Sequence, residues 1–429
     1  MNKYSLQMKF FNLYCFYYVV VMWLNSKLPS HIQDKIQLAK LKKLVKKAYE
    51  LPFYKKKFDK VGIKPQDLKT VEDLKKFPTL SKEEYREWMN EELKNEETKN
   101  YKLTRTSGST GIPTTNIYPP KEYAQHYMMD MMCWIKAGYN PFFGKTLTCA
   151  PGDENVGQKS IIQRLGILRR ECFSSEWSRD IIIDKINTYK PDFILGYSAE
   201  LSFIAQYALD NRMKVHSPHY YCAGGEHVTG IQEKVLKSVF GEGMINYYGC
   251  TEMADFAYRL PGDDGYWTFS DCVALLVKSD LGISKYGSGS ILATPLYRIR
   301  YPLINYEIGD NIKLIKKNGR DYISEMQGRT QDIFYWEDGS RTTHKDIWLI
   351  SKDLVDIFQV RFIQDTRHRV IIQAVKDGQT LKTQTELEQY LVEKYSPCFA
   401  KSVEIVVQWF DEIPLDDSGK IRNMVSRVV

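Results

Sequence analysis

The sequence predicts an α/β protein, and three stretches of different style carry that prediction. Short apolar runs alternate with helical patterns from Thr146 to Tyr247. Strands punctuated by Gly and Pro follow Asp255 and run through Ile315, which suggests an antiparallel or barrel-like part. After Asp332 the strands Phe358 to Ile363, Arg369 to Val375 and Ser402 to Gln408, with a helix from Thr385 to Lys394, read as a small α+β unit.

The elements follow in order. Phe10 to Leu24 is apolar and aromatic, flanked by Lys3 and Lys9 and interrupted by Asn12. It is shorter than the ~20 residues of a spanning helix, and Leu24-Asn25-Ser26-Lys27 offers no small-x-small cleavage site. It reads as an interfacial anchor or as an extension upstream of the true start. Ile32, Ile36, Leu41, Leu44, Val45 and Ala48 recur at helical spacing from His31 to Tyr49, and Pro52 is expected to end that helix. A short basic helix-loop region to about Met89 and a Thr/Ser/Gly loop come next, then a Met-rich helix around Tyr123 to Ala137 whose methionines suit core packing.

The middle reads as strands at Thr146 to Ala150, Phe193 to Gly196, His219 to Ala223 and Met244 to Tyr247. Between them lie helices at Gln158 to Leu168, Ile181 to Tyr189, Leu201 to Asn211 and Gly230 to Phe240. That βαβ rhythm implies a parallel sheet with ligands at the carboxyl ends of its strands.

Composition narrows the class. With 429 residues, 43% of them hydrophobic, the chain can bury a core and is long enough for two or three domains. A net charge of +7, with its excess concentrated in lysines 40 to 60, reads as a solvated helix face rather than a contact for anionic lipid or nucleic acid. Eight cysteines without C-x-x-C or zinc spacing fit a reducing compartment and argue against a disulfide scaffold or a structural metal.

Five polar motifs carry the chemistry. Thr106-Ser107-Gly108-Ser109-Thr110-Gly111 alternates hydroxyls with glycines, so backbone N–H and side-chain O–H groups can converge on one anion. It lacks the Gly-Lys-Ser/Thr of a Walker loop, and Gly138 to Thr146 has one residue too many between its glycines, so Lys145-Thr146 is read as the entry to a strand. Tyr247-Tyr248-Gly249-Cys250-Thr251-Glu252 closes a strand with an aromatic for a purine, a threonine for a phosphate and a carboxylate for a hard cation. Tyr306-Glu307-Ile308-Gly309-Asp310 places a carboxylate after a glycine turn, where it can accept from two ribose hydroxyls. Gly328-Arg329-Thr330-Gln331-Asp332 marks the change of style, and Ser418-Gly419-Lys420 puts a lysine in a loop near the end.

In this order, with Leu51-Pro52-Phe53-Tyr54, Phe77-Pro78 and Ser81-Lys82, the motifs resemble the acyl-adenylate-forming superfamily. The branch is that of phenylacetate–coenzyme A ligase-like proteins, which includes adenylate-forming proteins of capsular polysaccharide biosynthesis. The resemblance covers roughly residues 35 to 429. It implies a large N-terminal domain of parallel α/β subdomains plus a β-rich subdomain, followed by a small mobile α+β C-terminal domain. The expected bounds are 1–30 for the apolar extension, 31–330 for the large domain and 333–429 for the small one.

The resemblance also implies roles. Thr106 to Gly111 would hold the pyrophosphate-side phosphates of ATP, and Gly224-Gly225-Glu226 would line the adenine. Tyr248, followed by Gly249, would stack on the base, Thr251 would touch the α-phosphate, and Glu252 would bind Mg²⁺. Asp310 and Arg329 would hold the ribose, Asp332 would be the hinge, and Lys420 would neutralise charge as the carboxylate attacks. Ile112 stands where the family often has Lys, Ile308 where Thr is common, and Asp416 and Asp417 precede Ser418.

The implied reaction is activation of a small carboxylate by ATP, then acyl transfer to coenzyme A or to another thiol, amine or hydroxyl. Nucleic acid is not an expected partner. A cytoplasmic location is expected, with peripheral contact to the inner face of the membrane through the N-terminal segment. His126, Trp134 and Tyr197 are candidate liners of the acyl pocket, weighed against ordinary packing. Two alternatives stay open: a nucleotidyltransferase that leaves AMP on its product, and a homologue that binds nucleotide without turnover.

Overall fold

Polar side chains with no exposure are what tie the antiparallel part of this protein together. In the computed structural model, which describes residues 11–105, 114–150, 163, 166–167, 169–224, 228–329, 333–351, 353–414 and 422–428, the chain divides into two units. The first holds residues to Lys136 and Tyr247–Gln327; the second holds Ala137–Asn246 and the residues from Gly328 onward. The chain passes between them inside the strand Met244–Cys250.

In the first unit, Val273–Ser279 pairs antiparallel with Gly282–Ser284 and Gly287–Pro295, and Gly287–Pro295 with Tyr306–Lys317. Arg320–Arg329 pairs with Tyr266–Thr268, which pairs with Ala254–Arg259. Gly287–Pro295 and Tyr306–Lys317 run 9 and 12 residues, longer than the short strands the Gly/Pro punctuation suggested, because the sheet's apolar face sustains them. Helices Phe11–Asn25, Ser30–Tyr49, Pro52–Lys60 and Lys82–Glu92 pack on this core. Pro52 does not merely end a helix. It is the first residue of the next one, where its missing N–H costs nothing. Ser81 caps Lys82–Glu92 through a reciprocal pair with Glu84.

Two buried polar side chains and one half-buried carboxylate fix this unit. Tyr54 Oη donates to Pro302 O at 2.8 Å and accepts from Ile304 N at 3.0 Å. Asn305, in the left-handed region at φ 50°, donates through Nδ2 to Leu74 O and Phe77 O at 2.7 and 3.0 Å. Glu122, in the helix Pro120–Ala137, accepts from Ile299 N and Arg300 N at 3.1 and 2.9 Å.

In the second unit, Arg169–Ser174, Lys145–Ala150, Phe193–Tyr197, Tyr220–Gly224 and the start of Met244–Cys250 form a parallel sheet in that order. Helices Arg179–Tyr189, Ser198–Asp210 and Gly230–Phe240 supply its buried apolar face. A second sheet orders Glu404–Trp409, Arg369–Lys376, Ile357–Thr366 and Met424–Ser426, with Gln384–Tyr395 packed on it. Thr229 caps Gly230–Phe240 and also donates to Phe358 O at 3.0 Å, so one side chain serves both a helix end and the second sheet. The expected helix Gln158 to Leu168 lies largely outside the described residues. All eight cysteines are free thiols.

Two outcomes test this packing. Tyr54→Phe strands the Pro302 carbonyl and the Ile304 N–H in the core, and should cost about 1–3 kcal/mol in urea unfolding; no measurable cost would mean that those groups find other partners. Desolvation raises the Glu122 pKa to about 7, against the N–H groups and Arg298. The native state therefore holds this proton where the unfolded chain releases it, so the stability it confers is lost as pH rises from about 4.5 through about 7. Glu122→Gln should melt above the wild type near pH 8 and converge with it near pH 5, a gap on the order of 1–3 kcal/mol. A melting difference independent of pH would show that the carboxyl does not titrate in that range.

Candidate active site

The site is built on the end of the strand Met244–Cys250 and the tight turn after it. Gly249 is required there, because a Cβ would sit 2.1 Å from Ala254 O. Ala254 closes the turn in the left-handed region at φ 59°, a conformation that costs a non-glycine residue free energy and persists only where its surroundings hold it. Thr251 is exposed at the apex, while Glu252 behind it is 3% exposed.

The turn is gripped from below. Tyr118 Oη lies 2.8 Å from Thr251 O and 2.9 Å from Glu252 O, and donates to that pair of carbonyls. Arg298, with no exposed surface, donates from Nη1 to Glu252 O at 2.8 Å and from Nη2 to Ile117 O at 3.1 Å. Its guanidinium lies 4.4 Å from the Tyr118 ring centroid. Ile117 and Tyr118 belong to Thr115–Tyr118, which pairs with Lys102–Arg105 on the two sides of the Thr106 to Gly111 loop. One guanidinium thus joins the hairpin that carries the expected phosphate loop to the turn that carries Thr251 and Glu252.

The Glu252 carboxylate accepts from Tyr306 Oη at 2.9 Å, and the Tyr306 ring meets Tyr85 edge-on at 5.7 Å. Burial first, then the Glu252 charge, pushes the Tyr306 hydroxyl and the Cys250 thiol well above their ordinary pKa, so both stay protonated beside the carboxylate. Tyr248 Oη donates to Asp310 Oδ2 at 2.7 Å. Asp310 follows Gly309, whose φ of 93° suits glycine. The structure therefore brings together five sequence-predicted residues, Tyr248, Gly249, Thr251, Glu252 and Asp310, with Thr251 at the apex.

Other expected residues stand elsewhere. Gly224 ends Tyr220–Gly224 in the second unit. Gly328 has φ 85°, and a Cβ there would sit 2.5 Å from the His344 ring. Thr106 to Gly111, Gly225, Glu226, Asp332, Lys420 and the Arg329 side chain lie outside the described residues. Lys145 opens its strand and donates from Nζ to Tyr189 O at 3.1 Å, with no part in a phosphate loop. His126 packs against Tyr118 and lies 3.0 Å from Tyr297 Oη, and desolvation, helped by Arg298, pushes its pKa down to about 3. It is a neutral packing group. Trp134 and Tyr197 are half-buried, the first in the helix Pro120–Ala137 and the second at the end of Phe193–Tyr197.

Sequence reasoning missed Tyr118, Arg298 and the role of Tyr306. Arg298 carries a usable signal, since it and Arg300 are the two charged residues in the mostly apolar run Ile291 to Ile304.

The chain is similar to known proteins in sequence and in fold. Residues 334–427 match the model of the CapK C-terminal domain. The chain is 35% identical over 322 residues to phenylacetate–coenzyme A ligase of Escherichia coli K12, which spans 70% of this chain and 71% of that enzyme. It is 20% identical over 375 residues to protein CapK of Staphylococcus aureus, covering 84% and 81% of the two chains. Its fold matches a 2-hydroxyisobutyryl-coenzyme A ligase solved in the postadenylation state with an acyl-AMP. The TM-score is 0.72 at 17% identity, over 93% of this chain and 90% of that one. By the identity and coverage of its bacterial relative, the chain belongs to the phenylacetate–coenzyme A ligase family of adenylate-forming acid–thiol ligases.

Proposed function

We propose that this protein activates a carboxylate with ATP to an acyl-AMP and pyrophosphate, then passes the acyl group to coenzyme A or another thiol, amine or hydroxyl. We place the reaction in the cytoplasm, in capsular or other surface polysaccharide biosynthesis. The relative CapK and the matching C-terminal domain support that context. The observation that carries the catalytic reading is the Tyr248–Asp310 hydrogen bond beside the buried Glu252 turn. In this reading the ring of Tyr248 would stack on the base, Asp310 would accept from the ribose, Thr251 would face phosphate and Glu252 would supply a carboxylate, from the end of Met244–Cys250, the turn after it and the strand Tyr306–Lys317.

In the first step a carboxylate oxygen attacks the α-phosphorus of ATP. A new P–O bond forms, and the bond to the bridging oxygen of pyrophosphate breaks. The nucleophile is already ionised near neutral pH, so no general base is needed, and rate comes from positioning and charge stabilisation. Thr251 and the hydroxyl-rich loop Thr106 to Gly111 contact phosphate, and Lys420 neutralises charge at the reacting centre. Among the described residues no group of three or more acidic, His or Cys side chains could hold a metal alone. One carboxylate, Glu252, fits Mg²⁺ that arrives on the nucleotide's phosphates. That ion, when bound, supplies electrostatic stabilisation of the leaving pyrophosphate.

In the second step the acceptor attacks the acyl carbon, the C–O bond of the mixed anhydride breaks, and AMP leaves. In this reading Lys420 would have to leave before the acceptor enters, and residues 333–429 would swing about Asp332 relative to 31–330 between the steps.

Labelled pyrophosphate exchange into ATP, across a panel of aryl, fatty, hydroxy and amino acids, tests the first step. Lys420→Ala should lose roughly 10²-fold or more of that exchange with its fold intact; exchange at the wild-type rate would remove the lysine from the reaction. Asp332→Pro should slow acyl transfer more than exchange. Equal loss of both steps would rule out a hinge at this position.

A further inference from the structure

The helix Phe11–Asn25 has two unlike faces. One is packed within the first unit. Cys15 and Met22 are buried, Phe11 stacks on Tyr123 with ring centroids 5.6 Å apart, and Asn25 Nδ2 donates to Asp271 Oδ2 at 2.8 Å. The other presents Leu13, Phe16, Tyr17, Val20, Trp23 and Leu24 to solvent, with Leu13 61% exposed and Phe16 57% exposed. Their spacing puts them on one stripe of a helix. Tyr127, itself exposed, adds a ring 6.4 Å from Phe11.

Cations gather at the carboxyl end of this stripe. Lys27 Nζ lies 5.7 Å over the Trp23 ring. The Arg320 guanidinium lies 3.5 Å from Ser26 O. Lys136 is half-buried nearby, and desolvation, then Arg320 and Lys27, push its pKa down to about 8. Asp271, which also acts on Lys136, is already engaged by Asn25 and by Lys40 Nζ at 3.5 Å.

We propose that this face docks the protein on an anionic lipid surface, with the helix lying in the plane of the headgroups and Lys27 and Arg320 meeting lipid phosphates. Large apolar and aromatic side chains beside basic ones are the make-up of an interfacial helix. No described helix is long and apolar enough to cross a membrane, so the helix lies on the bilayer. Phe11–Asn25 carries no acidic side chain that could pair with Lys27 of a second copy, so charge favours lipid over self-association through this helix. The proposal does not depend on the acyl-adenylate reading.

The test is flotation of the full chain with phosphatidylcholine vesicles, with and without phosphatidylglycerol. The wild type should float with the anionic vesicles, and binding should weaken as salt rises. Phe16→Glu with Trp23→Glu should lower that binding at least about tenfold, with melting temperature and size in solution unchanged because both side chains are exposed. Lys27→Glu should weaken binding to anionic vesicles while leaving binding to neutral ones as it was. Absence of flotation by the folded wild type, equal binding to both vesicles, or a dimer that the double variant splits without any lipid binding would each overturn the proposal.

Discussion

A guanidinium taken wholly out of water is expensive unless carbonyls, π-faces and a counter-charge replace its hydration. Arg298 has no exposed surface, and its replacements are specific: the carbonyls of Glu252 and Ile117, the faces of Tyr118 and Tyr85, and the nearby Glu122. Both carbonyls belong to segments that carry or flank the proposed site. Were either to move away, a buried charge would lose an acceptor, so the strained turn at Ala254 and the end of Thr115–Tyr118 hold each other in place. That constraint fixes the hydroxyl-tipped turn that the proposed reaction assigns to phosphate.

Burial shifts the other titratable groups of the surrounding interior toward their neutral forms. Desolvation pushes His126 down to about 3 and raises Asp130, which accepts from Asp255 N at 3.3 Å, to about 6. Tyr306 and Cys250 are held protonated beside Glu252. Around the Glu252 turn this leaves protonated hydrogen-bond donors, Tyr306 and Cys250, and one fixed cation, Arg298. That suits displacement at phosphorus by a carboxylate, which arrives without a proton to remove.

Much of the second unit could be read from local pattern. Gly230–Phe240 ends where expected because Thr229 and Gln232 cap its start and Gly241 takes φ 88° at its end. Pro52 was harder, since the same residue that stops one helix starts the next. The helix His344–Ser351 went unread because it is short and follows an Arg341–Thr343 strand directly. In the site, the motif residues were legible as a set because their order is shared across a family. The grip on them was not. Tyr118, Glu122 and Arg298 are far apart in sequence, and nothing local says that a tyrosine hydroxyl will meet a carbonyl 133 residues away.

The apolar segment near the start shows the limit of composition. Phe11–Asn25 contains no charged residue, so periodicity of charge cannot distinguish a buried helix, an anchor and a solvent-facing one. Packing decides. Burial of Cys15 and Met22 and the Asn25–Asp271 hydrogen bond fix which stripe faces inward, and helix geometry then puts Phe16, Val20 and Trp23 outward. A stripe that large is costly to leave in water at ~25 cal/mol per Å². Neighbouring lysine and arginine side chains make an anionic interface a better solvent for it than either water or hydrocarbon.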